Sequence, residues 1–522
     1  MGIYVNPGNE EFKKAINSEI YVDKTMFLAF TNHNLNTEHQ NICVSRPRRF
    51  GKSMAANMLA AYYGADKDSR TLFEPYKISK DRSFEEHLNK YNVIQVNMID
   101  FMTRTSSVEE LIDYLQRRIL WDLKKAYGDL ECFDWNDLVE VLQTIYEKTK
   151  RAFVIIIDEW DCIFRKYPSS HEDHIKYLDF LRFWLKGKSY IVLAYMTGIL
   201  PIKKYGEHSA LNMFDEYSMT NQRELAEFTG FTENEVKELC KQYDMPYDKT
   251  KQWYDGYDLK GVQIYNPRSV VMSMLGHDFD SYWTKTETYE ALKKYIQMNQ
   301  YGLKELTTRL IAGEHIPVNP AKFQNDMTTF ASADDVLTLL VHLGYLTYDF
   351  YAQTVCIPNQ EVQKEFINCI EDGGWEPVME AIRQSADLME ATLRGDEKYV
   401  AKQIEKVHED NISILKYNDE NSLACVLSLA YYSAKKTHEI YRELAGGKGF
   451  ADLVFVPRKK VSEPAMIVEL KWNESAETAV AQIRRKKYVN ALKGYAGTIL
   501  VVGINYKKNE KLYTCKIERI MK

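Results

Sequence analysis

The stretch Ser45-Arg46-Pro47-Arg48-Arg49-Phe50-Gly51-Lys52-Ser53 decides how the first half of the chain folds. It follows a short apolar run at 41–44 and opens a helical pattern at 53–63. A loop between a buried strand and a helix start turns backbone N–H groups and the helix N-terminus toward an anion. Phe50 and Gly51 supply backbone to such a loop, Lys52 neutralises terminal phosphate charge, and Ser53 ligates Mg2+. The usual pattern begins with a glycine where Arg46 stands here. Arg46, Arg48 and Arg49 admit three roles: contact with phosphate, contact with a neighbouring subunit's nucleotide, or a solvated basic edge.

A second element lies at Phe153-Val154-Ile155-Ile156-Ile157-Asp158-Glu159, where an aliphatic run ends in two acids. Both carboxylates then sit at the carboxyl end of a buried strand. Asp158 suits a Mg2+ site through water, and Glu159 suits polarisation of an attacking water. A third run, 190–195, leads to Thr197-Gly198. Thr197 reads equally as a sensor of terminal phosphate and as part of a turn. With runs at 41–44, 93–98, 153–157 and 190–195, and helical patterns at 53–63, 108–126 and 135–148 between them, residues 1–215 predict a parallel sheet covered on both faces.

Working outward, residues 216–375 change to shorter helices with polar connections. An amphipathic helix at 334–343 ends at Gly344 and precedes a strand at 345–350, which suits a helical lid or winged-helix-like module. Residues 376–416 are helical and charge-rich. The segment 376–522, with this connector, returns to mixed α/β: a helix at 421–434, strands at 437–444, 451–456 and 466–472, a helix at 476–491 and a strand at 498–502. The expectation is therefore an α/β chain in three parts, 1–215, 216–375 and 376–522.

The last part carries its own acids. Asp452 precedes one strand, and Glu469 and Lys471 lie two apart on the next, so they project from one face. If these strands form a hairpin, Asp452 falls beside Glu469. Two carboxylates and a lysine at one edge suit phosphodiester hydrolysis. The acids hold Mg2+ or Mn2+, and Lys471 orients the nucleophile or stabilises the transition state. Gln482 and Lys486 are four apart on one face of the following helix. Arg484, Arg485, Lys486 and Lys487 form a basic cluster suited to a nucleic-acid backbone, or to the solvated face of a helix.

Bulk properties bound the rest. The 522 residues are 45% hydrophobic and 27% charged, ordinary for globular protein and too many for one core. A net charge of −6 excludes a globally basic nucleic-acid coat. The eight cysteines include no CxxC pair, which argues against a zinc knuckle or disulfide framework. No signal-peptide plan and no membrane-length apolar run occur, so a cytoplasmic protein without a membrane is expected. The abundant tyrosines decide nothing by themselves.

The first half resembles the AAA-ATPase-like family of bacterial and archaeal proteins. The resemblance rests on Tyr21-Val22-Asp23-Lys24-Thr25, the loop at 46–53, the Ile157–Asp161 segment (IDEWD), Thr197-Gly198 and Phe228-Thr229-Gly230-Phe231-Thr232. It continues through Trp253-Tyr254-Asp255-Gly256-Tyr257 and Tyr265-Asn266-Pro267-Arg268-Ser269. An arginine in place of the first glycine is typical of that family's loop. The resemblance implies ATP as ligand, with Arg268 reaching it from a lid or serving only as a turn contact. The last part resembles the PD-(D/E)XK nuclease superfamily through Gly447, Gly449, Asp452, Glu469, Lys471, Gln482 and Tyr488, with Ala451 in place of the usual proline. That resemblance implies a restriction-endonuclease-like core and a further acid at Glu443. Together these imply an ATP-binding and ATP-hydrolysing protein whose Mg2+-dependent nuclease domain cuts DNA, or RNA. The alternative is a nucleotide switch whose nuclease-like domain only grips nucleic acid or a protein. The sequence is compatible with a ring and with a chain acting alone.

Overall fold

The computed structural model describes the chain except residues 1, 203–210, 222–223, 284–286, 298–299, 325–326, 328–329, 412–419, 447–448, 459–460, 487, 489–491, 493–494 and 522. The side chains of 287–289, 291, 420–422, 443, 445–446 and 449–450 are likewise outside the description. The chain forms two compact units, one of Met1–Thr288 with Pro317–Gln363, the other of Tyr289–Ile316 with Lys364–Lys522. The segment 216–375, read from sequence as one module, is thus divided. Within the first unit Gly344 packs so tightly on Pro47 that a Cβ on it would lie 2.7 Å from the proline ring, which ties the residues after 317 to the phosphate loop.

The first unit is built on a five-stranded sheet in the order β2-β3-β4-β1-β5. The strands are β1 (Asn41–Ser45), β2 (Asn92–Asn97), β3 (Phe153–Asp158), β4 (Ile191–Gly198) and β5 (Asp215–Tyr217), all parallel. Every residue of β3 and β4 is buried, as a sheet covered on both faces requires. β5 is a short edge strand whose Asp-Glu-Tyr sequence gives no apolar signal. The helix expected at 135–148 runs Leu138–Thr149 instead. Asp137 sets this later start, accepting the Val139 and Glu140 N–H groups as N-cap.

Two helices place the site. α1 (Lys52–Tyr63) starts at Gly51, whose φ of +88° lets the loop turn into the helix. α2 (Cys162–Lys166) follows β3 directly. Beyond β5, strands Phe231–Thr232, Tyr257–Leu259 and Val262–Tyr265 form a small antiparallel sheet. α3 (Pro267–Gly276) begins behind Asn266, which accepts the Arg268 and Ser269 N–H groups, with proline in the first turn. Helix Ala333–Leu343 ends at Gly344 and leads to the hairpin Thr347–Asp349/Thr354–Cys356.

The second unit holds a mixed sheet of five strands in chain order: β6 (His438–Gly446), β7 (Gly449–Pro457), β8 (Ala465–Trp472), β9 (Thr498–Lys507) and β10 (Leu512–Met521). Pairing is antiparallel except between β8 and β9, which are joined across α4 (Ala476–Lys486). Val454, Ile467, Val480, Ile483, Ile499 and Val501 fill the core between sheet and helix. β10 was not anticipated; as an edge strand it is mostly half-buried, and its apolar residues are interrupted by Thr514, Lys516, Glu518 and Arg519. The helical stretch expected at 376–416 is two helices, Glu376–Arg394 and Glu397–Asn411, parted at Gly395 with φ +84°. No helix among the described residues is long and apolar enough to cross a membrane.

Candidate functional site

The loop leaving β1 and the start of α1 line a cavity of about 600 Å³. Its lining includes the polar Arg48, Arg49, Lys52, Ser53 and Glu159 and the apolar Ile20, Val22, Met58, Phe228 and Val271. Arg268, at the start of α3, is also on its wall. Lys52 is buried, and its ammonium donates to the carbonyls of Arg46 at 3.0 Å and Pro47 at 2.9 Å. Burial pulls the Lys52 amine down, opposed by Glu159, Asp158 and Asp161. Arg49 takes a left-handed φ of +72° and donates to the Tyr282 carbonyl. Phe50 lies on the cavity wall with its ring edge-on to Tyr257, centroids 5.2 Å apart.

The Ser53 hydroxyl donates to Asp158 at 2.6 Å, across 105 residues of sequence. Burial pushes the Asp158 carboxyl up, while the Ser53 hydrogen bond and Lys52 hold it down. Glu159 turns out of the strand at φ +53°, and its carboxylate is gripped by Arg165 of α2. Its carboxyl is pushed up by burial against the pull of Lys52 and Arg165. Two participants were missed by the chemical reading of the sequence. Asp161 accepts the Ile199 and Leu200 N–H groups at 3.1 and 2.9 Å, and lies 3.3 Å from Arg165. An acid and an arginine four apart after a strand were the signal available.

Two expected ligand residues are corrected. Arg46 is fully buried and its guanidinium turns away from the cavity, donating to Thr229, Ser45 and Tyr217. It is neither a phosphate contact nor a solvated edge. Thr197 is also fully buried and donates to the Val44 carbonyl at 2.9 Å, so its hydroxyl joins β4 to β1.

In the second unit, β7 and β8 do form a hairpin-like antiparallel pair, with Leu453 opposite Val468. Asp452 accepts the Leu470 N–H at 2.6 Å, which brings its carboxylate to the strand that carries Glu469 and Lys471. Glu469 is 2% exposed. One of its oxygens is gripped by the Gln482 amide and lies 3.6 Å from the Lys471 ammonium. The other, Oε2, is buried with no hydrogen-bond partner among the described residues. Burial, then Asp452, push this carboxyl up to about 8, against Lys471 and Lys486. α4 reaches the site because β9 offers Gly503 opposite Glu469; a Cβ there would meet the Ala476 carbonyl at 2.2 Å. Gln482 also lies 3.5 Å from the Tyr488 hydroxyl.

The basic cluster is not one surface. Arg484 pairs with Glu518 of β10, whereas Lys486 is felt at Glu469. Glu443 lies in β6 but its side chain is outside the described residues, as are Gly447 and Lys487. Among the described residues, no group of three or more His, Cys, Asp or Glu side chains is arranged to hold a metal. What fits a divalent ion is a partnerless, buried carboxylate oxygen beside a second acid.

A family profile described as predicted AAA-ATPase matches residues 7–206, and one for the PD-(D/E)XK nuclease superfamily matches residues 418–515. The chain thus carries an AAA-ATPase-like domain and a PD-(D/E)XK nuclease superfamily domain. It is 22% identical over 278 residues to an uncharacterized protein of the vnfD 5' region of Azotobacter chroococcum mcd 1, covering 51% of each chain. The chain spans about half the length of that curated relative. Among solved structures, a Walker-type ATPase of Pyrococcus abyssi is similar at 14% identity and TM-score 0.36, over 66% of this chain and 94% of that one. The ORC2 protein of Aeropyrum pernix is similar at 11% identity and TM-score 0.27, over 68% and 97%.

Proposed function

We propose that the protein binds and hydrolyses ATP in its first unit and cuts nucleic-acid phosphodiesters, most readily those of DNA, in its second, with Mg2+ at both sites. One observation carries the reading. At each site side chains far apart in sequence meet around oxygens suited to a divalent ion: Ser53 with Asp158, and Glu469 Oε2 beside Asp452. A bound Mg2+ would offset charge on phosphate oxygens and acidify a bound water; Mn2+ would serve in the second site.

In the first unit, Lys52 exchanges two neutral carbonyl partners for the oxygens of the terminal phosphates, a stronger charge-assisted pairing. The apolar side chains of the lining would pack on the base. Glu159 Oε accepts the proton of the attacking water, and Arg165 fixes where that carboxylate points. In the second unit, Gln482 holds Glu469 in orientation, Lys471 steers the attacking water and stabilises charge on the phosphate, and Lys486 draws the backbone toward the acids. The ATPase state would set when the second unit acts.

The test is Mg2+-dependent cleavage of single- and double-stranded DNA and of RNA by the full chain, against Glu469→Ala and against chelator. Loss of cutting in both controls is expected. Equal cutting by Glu469→Ala removes the enzyme reading for this site. Binding without cutting by the wild type favours a nucleotide switch that only grips its partner.

A further inference from the structure

Arg46 is the residue the proposed chemistry leaves unexplained. It occupies the first position of the phosphate loop, where glycine is usual. Its side chain is fully buried. Nε donates to Thr229 Oγ1 at 2.9 Å, and Nη1 to the carbonyls of Ser45 at 2.9 Å and Tyr217 at 3.0 Å. Among the described residues Nη2 has no acceptor and no carboxylate pairs with the group. Burial lowers the guanidinium to about 10, so it stays charged at neutral pH.

Neutral acceptors orient a buried cation but do not cancel its charge, and an uncancelled buried charge is unfavourable. Removing the side chain would spare the fold that penalty. The charge is bonded to the backbone where the loop begins, Nη1 donating to the Ser45 carbonyl, while the Arg46 carbonyl itself accepts from the Lys52 ammonium at 3.0 Å. The neighbouring residues grip the loop at both ends. Thr229 holds its first residue, and the Gly230 N–H donates to the Phe50 carbonyl at 3.0 Å. Gly230 has φ +92°, and a Cβ on it would meet Ile264 at 2.1 Å, so this second clamp requires glycine.

We propose that Arg46 is a positioning residue which clasps the phosphate loop to Thr229 and whose buried charge is answered by the polyphosphate of the bound nucleotide, favouring triphosphate over diphosphate. The idea rests on the nucleotide reading of the cavity. A charge acting through the loop, without touching the ligand, favours the more anionic nucleotide. Loss of loop shape alone weakens every nucleotide by the same factor.

The experiment measures binding of ADP and of a non-hydrolysable ATP analogue to the full chain, in Mg2+, for the wild type, Arg46→Met, Arg46→Lys and Thr229→Val. Arg46→Met is expected to weaken the triphosphate about 10-fold and the diphosphate less, narrowing their ratio about threefold. Arg46→Lys keeps the charge, so both affinities fall while the ratio holds. Thr229→Val releases the clasp alone and weakens both nucleotides in parallel. A folded Arg46→Met with wild-type affinities, or with both reduced equally, overturns the electrostatic role. Unchanged binding in Thr229→Val overturns the clasp, and that variant keeps the test open if Arg46→Met does not fold. Failure of the underlying reading looks different: the wild type binds no nucleotide and Lys52→Ala changes nothing.

Discussion

The two acid sites of the molecule are built on opposite principles. Around the phosphate loop each acid has a donor: Asp158 has Ser53, Glu159 has Arg165, and Asp161 has Arg165 and two backbone N–H groups on Oδ2. The Asp161 Oδ1 has no hydrogen-bond partner among the described residues. The cavity there is lined by Lys52, Arg48, Arg49 and Arg268, with the buried Arg46 guanidinium bonded to the loop from behind. At the β8 edge the surplus is anionic. Glu469 is buried, with one oxygen unpartnered among the described residues and a second acid beside it. A buried charge is unfavourable until its complement arrives. On the proposed function the first site takes an anion and the second a cation, and each ligand would relieve the charge buried there.

Four measurements break or sharpen this contrast. Glu159→Gln should reduce ATP turnover about 100- to 10,000-fold while ATP affinity is kept, since a base is lost and no cation is. Comparable turnover would assign the base elsewhere. Lys52→Ala removes one cation of the cavity and should weaken ATP binding about 100-fold in titration calorimetry, with the β8 site unaffected. Unaltered affinity would dismiss the phosphate-loop assignment.

Gln482→Ala frees the orientation of Glu469 and should weaken Mn2+ binding about 10-fold or more, read by electron paramagnetic resonance. Metal affinity equal to wild type would mean that Gln482 only packs. The smallest effect is on stability, and its size depends on pH. The Glu469 carboxyl moves from an ordinary 4.5 to about 8 on folding. Between those values the folded chain holds a proton that the unfolded chain has released, so stability falls as pH rises through the window. Without metal, Glu469→Gln should stabilise the unit holding it by about 1–3 kcal/mol at pH 8 and by little at pH 4.5. Thermal unfolding at both pH values checks this, and an equal gain at each would place the effect in packing.

Much of the architecture was legible before any coordinates. Aliphatic runs such as Ile155-Ile156-Ile157 and Ile467-Val468 are buried strands because nothing else buries so many branched side chains in so few residues. Strands without an unbroken apolar run escaped. β5 and β10 are sheet edges, which need only one paired neighbour and little burial. Asp452, Glu469, Lys471 and Gln482 were legible as a set because spacing of two on a strand and a following helix fixes their faces.

What the sequence determined by itself, then, is which backbone segments can be strand, loop or helix, and which charged groups stand at their ends; period and local chemistry suffice for that. The tertiary structure alone decided where those groups point. Arg46 and Thr197 stand at the right places along the chain for a phosphate site, yet both turn into the protein, toward Thr229 and Val44. Glu159 meets Arg165, and Arg484 meets Glu518 instead of joining Lys486 beside the acids. A side chain's direction follows from which distant segment packs against it and how much water that contact removes, and neither is encoded in the neighbouring residues.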